Sequence, residues 1–403
     1  MAVKIVRQPN KIALLGSPTS AAAMSAGHEG APAALRAAGL VDRLRSIGYQ
    51  VTDLGDDPPQ LYQSDDESPR ARNIPRVLAS LEALKPRVEQ AIKSGSLPLI
   101  LSGDCSIALA TIAGARRYFR RVSLIYMDGD ADFNTPATTP SGSVDGMVVS
   151  HMIGRGAPEL VRFWGEPPLV REPDLALFGV SRTDPGEEDA LARLPVRRYL
   201  AADVQRMGAP AAADVAIERI HGGGNEFVLH FDVDVIADFQ ATNFPATHGL
   251  SLEQVRQALA VFATQKHLAA IEVTGYNPAK DPDGSAAKLL IDLLAAVLGE
   301  RLDVLKATAI PEPAAAAPSA SSPSSSTVPA APPSTAPAEA EPSSPESAPA
   351  VVAPGEAWSS ESLEGEFDSP DETSEAAKGK SVEASDDSDN PDDLGEPGES
   401  HSQ

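Results

Sequence analysis

Apolar positions along this chain follow two rhythms. Short, nearly continuous apolar runs that end at glycine, serine or aspartate alternate with longer stretches in which apolar residues recur every three or four positions. The first pattern suits strands buried on both faces, the second helices with one buried stripe. Strands are expected at Lys11 to Gly16, Tyr49 to Asp56, from Leu97 (LPLILSGDCS), Val122 to Met127, Asp174 to Val180, Val196 to Leu200 and Leu268 to Val273, with EFVLHFDVD (from Glu226) the strongest late one. Of these, VRRYL is the weakest. Helical spacing covers Ala31 to Gly48, Ile74 to Ser94, Ser106 to Arg117, Ala211 to Ile220, Val255 to Ala263 and Ser285 to Leu305. Pro185 with an acidic first turn reads as a helix start, and Ser251 with Gln254 resembles a capping box. Between Asp53 and Asn73 the chain is polar and proline-bearing, hence a loop. Strands alternating with helices imply a parallel sheet with right-handed crossovers, an α/β fold.

Ligands of such sheets gather outside the carboxyl ends of the strands. Cys105, Asp128, Asp184, Asp232 and Glu272 are all expected just past such ends. The stretch from Val122 to Gly146 is the most telling. Its apolar strand releases Asp128, Asp130 and Asp132 at alternate positions, and carboxylates so close repel unless a cation sits among them. Oxygen-rich sets of this kind suit manganese or magnesium. A solvated acidic loop is the plain alternative. It weakens because Asp232 and Asp234 repeat the design after FVLHF.

Composition divides the chain. From Ala309 to Gln403 the residues are mainly Pro, Ala, Ser and acids, with 20 acidic against 2 basic side chains, a net of −18. Met1 to Thr308 carries 37 acidic and 31 basic residues, a net of −6. The acidic segment cannot bury enough apolar surface to offset its chain entropy, so 309–403 is expected to be a disordered tail and 1–308 the folded domain. No basic face points to nucleic acid. One cysteine, Cys105, excludes an intramolecular disulfide. The N-terminus lacks the apolar run of a signal peptide, and no stretch reaches the roughly 18 uncharged apolar residues of a membrane helix. A soluble cytoplasmic protein is the expectation.

In order, EGAPAALRAAGL, VTDLGD, SGDCS, DGDADFNTPATTPSG, RTDPGE, HFDVDVIAD and IEVTGYNP resemble signatures of the arginase (ureohydrolase) family, over about residues 11 to 305. Its members hydrolyse guanidino or related C–N bonds with two manganese ions. The resemblance implies a three-layer sandwich around a mainly parallel sheet of about eight strands. It implies a small guanidino or amidino substrate and a homo-oligomer, trimer or hexamer. Carried over by position, Asp128 and Asp232 would bridge two divalent ions, with Mn2+ the expected metal. Cys105 and Asp132 would complete one metal site, Asp130 and Asp234 the other. A water between ions about 3.5 Å apart becomes a bridging hydroxide that attacks the guanidinium carbon. Asp234 would take up its proton, and Glu272 would pair with the guanidinium. Asn134 and Ser141 would hold the substrate α-carboxylate and Asp184 would serve the α-amino group, which favours an amino acid over a decarboxylated amine.

Three positions depart from the pattern. Cys105 and Asp130 stand where the family has histidine ligands, and Asp145 where it has a proton-shuttling histidine. Asp-Pro is also missing after DVDVI, where Ala237-Asp238 stands instead. Five carboxylates and a thiolate would set about −6 against +4, which raises pKa values or changes metal preference. A thiolate shifts preference towards zinc or iron(II). Each position also has a plainer reading: Cys105 as a small buried hydrophobe and Asp145 as a helix cap. His151, His230 and His248 stand near the motifs, as replacements for lost imidazoles or as packing residues. Two functions follow: a metal-dependent hydrolase of arginine or a related amino acid, or a catalytically weak or inactive member that binds metal or ligand. A third, in which the acidic tail recruits partners, finds no docking motif.

Overall fold

The computed structural model describes residues 5–220 and 224–308; the expected tail, 309–403, lies outside the described residues. The chain lays down β1 (Lys11–Ser17), β2 (Gln50–Asp56), β3 (Leu97–Ser102), β4 (Val122–Met127), β5 (Leu175–Val180), β6 (Arg197–Leu200), β7 (Glu226–Asp232) and β8 (Leu268–Thr274). They form one sheet in the order β2-β1-β3-β8-β7-β4-β5-β6. Every neighbouring pair is parallel. The expected α/β architecture is therefore the one present.

Strands β3, β4, β5 and β8 are buried along their whole length, which is why they read as unbroken apolar runs. Alternate residues feed two cores. Leu99, Leu101, Ile125 and Met127 face one helical layer, while Ile100, Leu124 and Tyr126 face the other. The edge strands differ. β6 shows Arg197 and Arg198 partly to solvent, as edge strands commonly do. That polarity made VRRYL hard to read.

Some boundaries move for local reasons. Gly39, at φ +95, splits the expected helix from Ala31 into Ala31–Ala37 and Leu40–Ser46. The helix expected at Ser106 opens as a 3-10 turn, Cys105–Ile107, before Ala108–Ala115. An unforeseen helix, Ala201–Met207, precedes Ala209–Ile220. No helix among the described residues is long and apolar enough to cross a membrane. For the site, strand order decides. It sets the carboxyl ends of β3, β8, β7, β4 and β5 side by side, although they are far apart in sequence.

Candidate active site

Two groups of donors meet at this rim and share Asp128. In the first, Cys105, Asp128, His230 and Asp232 bring a ligand atom each to within 4.8 Å of one another. Cys105 follows β3 and is placed by its neighbours. The Asp104 carboxylate accepts from the Ser106 N–H at 3.2 Å, from Thr19 Oγ1 at 2.9 Å and from the Ala22 N–H at 3.1 Å. Cys105 Sγ lies 3.1 Å from Asp232 Oδ2 and 3.4 Å from Thr274 Oγ1. Burial, then the Asp232 charge, pushes this thiol well above its ordinary value. Without a metal it is a neutral S–H donor.

His230 lies one layer deeper, stacked on Tyr126 with centroids 4.2 Å apart. Its Nδ1 is 2.8 Å from Glu272 Oε2, and its Nε2 is 3.3 Å from Thr274 Oγ1 and 4.0 Å from Asp128 Oδ2. A carboxylate on Nδ1 fixes the tautomer that leaves Nε2 free to ligate. Glu272 was expected past the strand and against the substrate. It lies instead inside β8, opposite His230 in the register, fully buried and away from the cavity. Two residues further along β8, Thr274 is the one that reaches the rim.

The second group is Asp128, Asp130 and Asp234. Asp128 Oδ1 accepts the Asp130 N–H at 2.7 Å, and Asp232 Oδ1 accepts the Asp234 N–H at 2.8 Å. This group contains a cation already. Arg182, two residues past β5, donates Nε to Asp130 Oδ1 and Nη2 to Asp130 Oδ2, both at 2.8 Å. Nη2 also reaches Asp234 Oδ2 at 2.7 Å. Burial pulls the guanidinium down, but Asp130 and Asp234 together hold it above its ordinary value.

Asp132, at φ +47, accepts the Tyr126 hydroxyl, and Asp145 Oδ1 accepts the Cys105 N–H at 2.7 Å. Burial, then neighbouring carboxylates, pushes Asp128, Asp132, Asp145 and Asp234 well above the ordinary carboxyl range. The first group, with thiol, imidazole and two carboxylates and no Lys or Arg paired to them among the described residues, has the donor chemistry of a divalent-ion site. The second has the oxygens but holds a guanidinium across them.

Above these groups opens a cavity of about 790 Å³. Asn134, Ser141 and Asp184 line it. Asn134 Nδ2 donates to Asp184 Oδ2 at 2.8 Å, and Glu187 ties the two segments by accepting the N–H groups of Phe133 and Asp184 at 2.8 Å each. Thr242 to Pro245 form the opposite wall. Of the three flagged histidines, only His230 approaches the site. His151 is a packing residue, bonded to Met147 O at 2.6 Å and to the Ala157 N–H at 3.1 Å, and burial lowers it to about 4. His248 is exposed.

Sequence reasoning missed Arg182 and His28. His28 lines the cavity, is 3 % exposed, and neither ring nitrogen has a hydrogen-bond partner among the described residues. It stands well beyond the end of β1 at Ser17, too far for the rim rule that selected Cys105; Arg182, two residues past β5, fell within that rule.

The model of the arginase family matches residues 10–299. Among similar proteins, the arginase of Bacillus caldovelox is 29% identical over 297 residues, covering 72% of this chain and 99% of that one. The mitochondrial arginase-2 of Rattus norvegicus is 27% identical over 307 residues, covering 73% and 87%. The native structure of the Bacillus caldovelox arginase at pH 5.6 superposes with a TM-score of 0.66 at 28% identity, over 72% of this chain and 98% of that one. The fold, the matched span and these relatives agree: the chain belongs to the arginase family.

Proposed function

We propose that this protein is a metal-dependent hydrolase of an arginine-like guanidino or amidino amino acid. The carrying observation is that Cys105, Asp128 and Asp232, with His230 buried behind them, form a donor group on a cavity that Asn134, Ser141 and Asp184 also line. Manganese is the first choice for the carboxylates, with zinc or iron(II) favoured by the thiol and imidazole. When bound, the ion supplies Lewis acidity and acidifies water.

The chain's own residues do the rest. Asn134 and Ser141 offer an amide and a hydroxyl to a substrate carboxylate, and Asp184 offers a carboxylate to an ammonium. The acidic floor attracts the cationic end of the substrate. Asp145 and Asp234, both held above the ordinary carboxyl range first by burial, are the side chains placed to carry a proton to a leaving nitrogen. Glu272 supports His230 and leaves guanidinium recognition to the cavity acids. Within this reading the protein is cytoplasmic and homo-oligomeric, a trimer or hexamer, which light scattering would check.

A second reading has its own support. Arg182 across Asp130 and Asp234, and Glu272 turned to His230, both remove expected parts of the reaction centre. They favour a member that binds ligand or metal without turnover. Urea or ammonia release from arginine, agmatine, guanidinobutyrate and formiminoglutamate, with manganese present, separates the two. Release from the amino acids above that from agmatine supports the hydrolase. Saturable arginine binding by calorimetry without release supports the binding protein.

A further inference from the structure

We propose that Arg182 is a resident cation that stands where the family resemblance places the second metal, so that the chain binds no more than one divalent ion, at the Cys105 group. The inference rests on reading the cavity as the family's metal centre.

The guanidinium fits its place as a ligand would. Its planar edge takes both oxygens of Asp130 in parallel, Nη2 bridges on to Asp234, and Nη1 is closed off by Phe244 O at 2.7 Å. A fork of this kind matches carboxylate geometry and resists displacement better than a point charge. Asp234 Oδ1, its remaining oxygen, accepts the Gly129 N–H at 3.0 Å. An ion placed among the same oxygens would meet a like charge within a few ångströms, where repulsion is strong.

The backbone fixes this arrangement as firmly as the side chain does. Gly129 O accepts both the Ser181 N–H at 2.9 Å and the Arg182 N–H at 3.0 Å. The start of the Arg182 side chain is thereby tied to the peptide between Asp128 and Asp130. A Cβ at Gly129 would lie 2.9 Å from Asp234 Oδ1 and 3.4 Å from Arg182 Nη2. The glycine leaves room for the close approach.

Asp130 and Arg182 thus form one feature. A histidine at position 130 could not offer an arginine two parallel acceptors, whereas an aspartate can. Asp130 and Arg182 form a matched pair, and its charges cancel where an ion's would have. The first group has no such substitute, since the described ion pairs put no Lys or Arg on Asp232 or Asp128.

Metal counting tests this without reference to turnover. The full chain, Arg182→Gln and the charge-conserving double change Asp130→His with Arg182→Gln are stripped with chelator, saturated with Mn2+, desalted and measured by inductively coupled plasma mass spectrometry. Circular dichroism confirms folding, and melting is followed with and without the ion. We expect one ion per chain in the unaltered protein and one more in each folded variant, with a larger metal-induced rise in Tm. Two ions in the unaltered chain, or no gain in either folded variant, overturn the proposal. A chain that takes none while Arg182→Gln takes one fails the metal-centre reading of the first group yet keeps Arg182 as the resident cation. The substrate screen stands apart, since absence of turnover leaves the count unchanged.

Discussion

The two donor groups share Asp128 and lie on one rim, yet they solve the problem of buried negative charge differently. Around Asp130 and Asp234 the balancing cation is covalently part of the chain. Around Cys105 and Asp232 the described residues supply hydrogen bonds and an imidazole but no paired Lys or Arg. An unpaired buried charge costs several kcal/mol, so the second group carries part of its own balance while the first must take up protons or an ion. Counting acids therefore does not count metals. What matters is whether the nearest cation is already attached.

The largest effect is expected from Asp128→Ala, because this residue belongs to both groups. Bound metal should fall to none, and Tm should stop responding to added manganese. Asp232→Ala should lose the ion of the first group as completely. Retention of metal in Asp128→Ala would mean that Asp128 is not a ligand of the first group.

Acidity gives the next test. The carboxyls of Asp128, Asp132, Asp145 and Asp234 are raised in the fold, so the folded metal-free chain holds more protons than the unfolded one above about pH 4. Its stability should fall as pH rises from there, and a bound ion should lift that high-pH loss. His151 works in the opposite sense. Its pKa drops from 6.5 to about 4, so stability falls as pH drops through that window, by about 3 kcal/mol. Denaturant titrations from pH 4 to 8, with and without Mn2+, should show a maximum on the acid side that moves upward with metal. Identical curves would remove the first group's claim to an ion.

Glu272→Ala is a narrower cut. It leaves the His230 Nδ1–H unpaired in a buried site, with an expected loss of about 2 kcal/mol and roughly 10- to 100-fold weaker metal binding. Unchanged metal affinity with a raised KM would return Glu272 to the substrate.

Strand identities were legible because burial on both faces writes an unbroken apolar run, as in VSLIYM and FVLHF. The pairing of strands was not. His230 and Glu272 are 42 residues apart and meet only through the β7–β8 register. The charge count of −6 against +4 omitted Arg182 for a related reason: its tie to Gly129 spans a whole crossover. Alternation along β8 held a clue, since position 272 is two short of the strand's end.

The smallest effect is expected from deleting 309–403. Composition alone motivates it, as every motif lies earlier in the chain. Tm and metal content should match those of the full chain, and a marked drop in either would extend the working unit beyond Thr308.

Gly275, the first residue after β8, carries a lesson about history. It sits on the cavity wall at φ +78, and a Cβ there would fall 2.1 Å from Asp232 Oδ1. No single substitution can grow a side chain from that wall while Asp232 keeps its position, because space and backbone both forbid it. Adaptation at this wall is therefore close to one-way. A lineage or an engineer seeking a new substrate-facing group there must first rebuild the turn, or start from the 3-10 turn that carries His28, whose ring already lines the cavity.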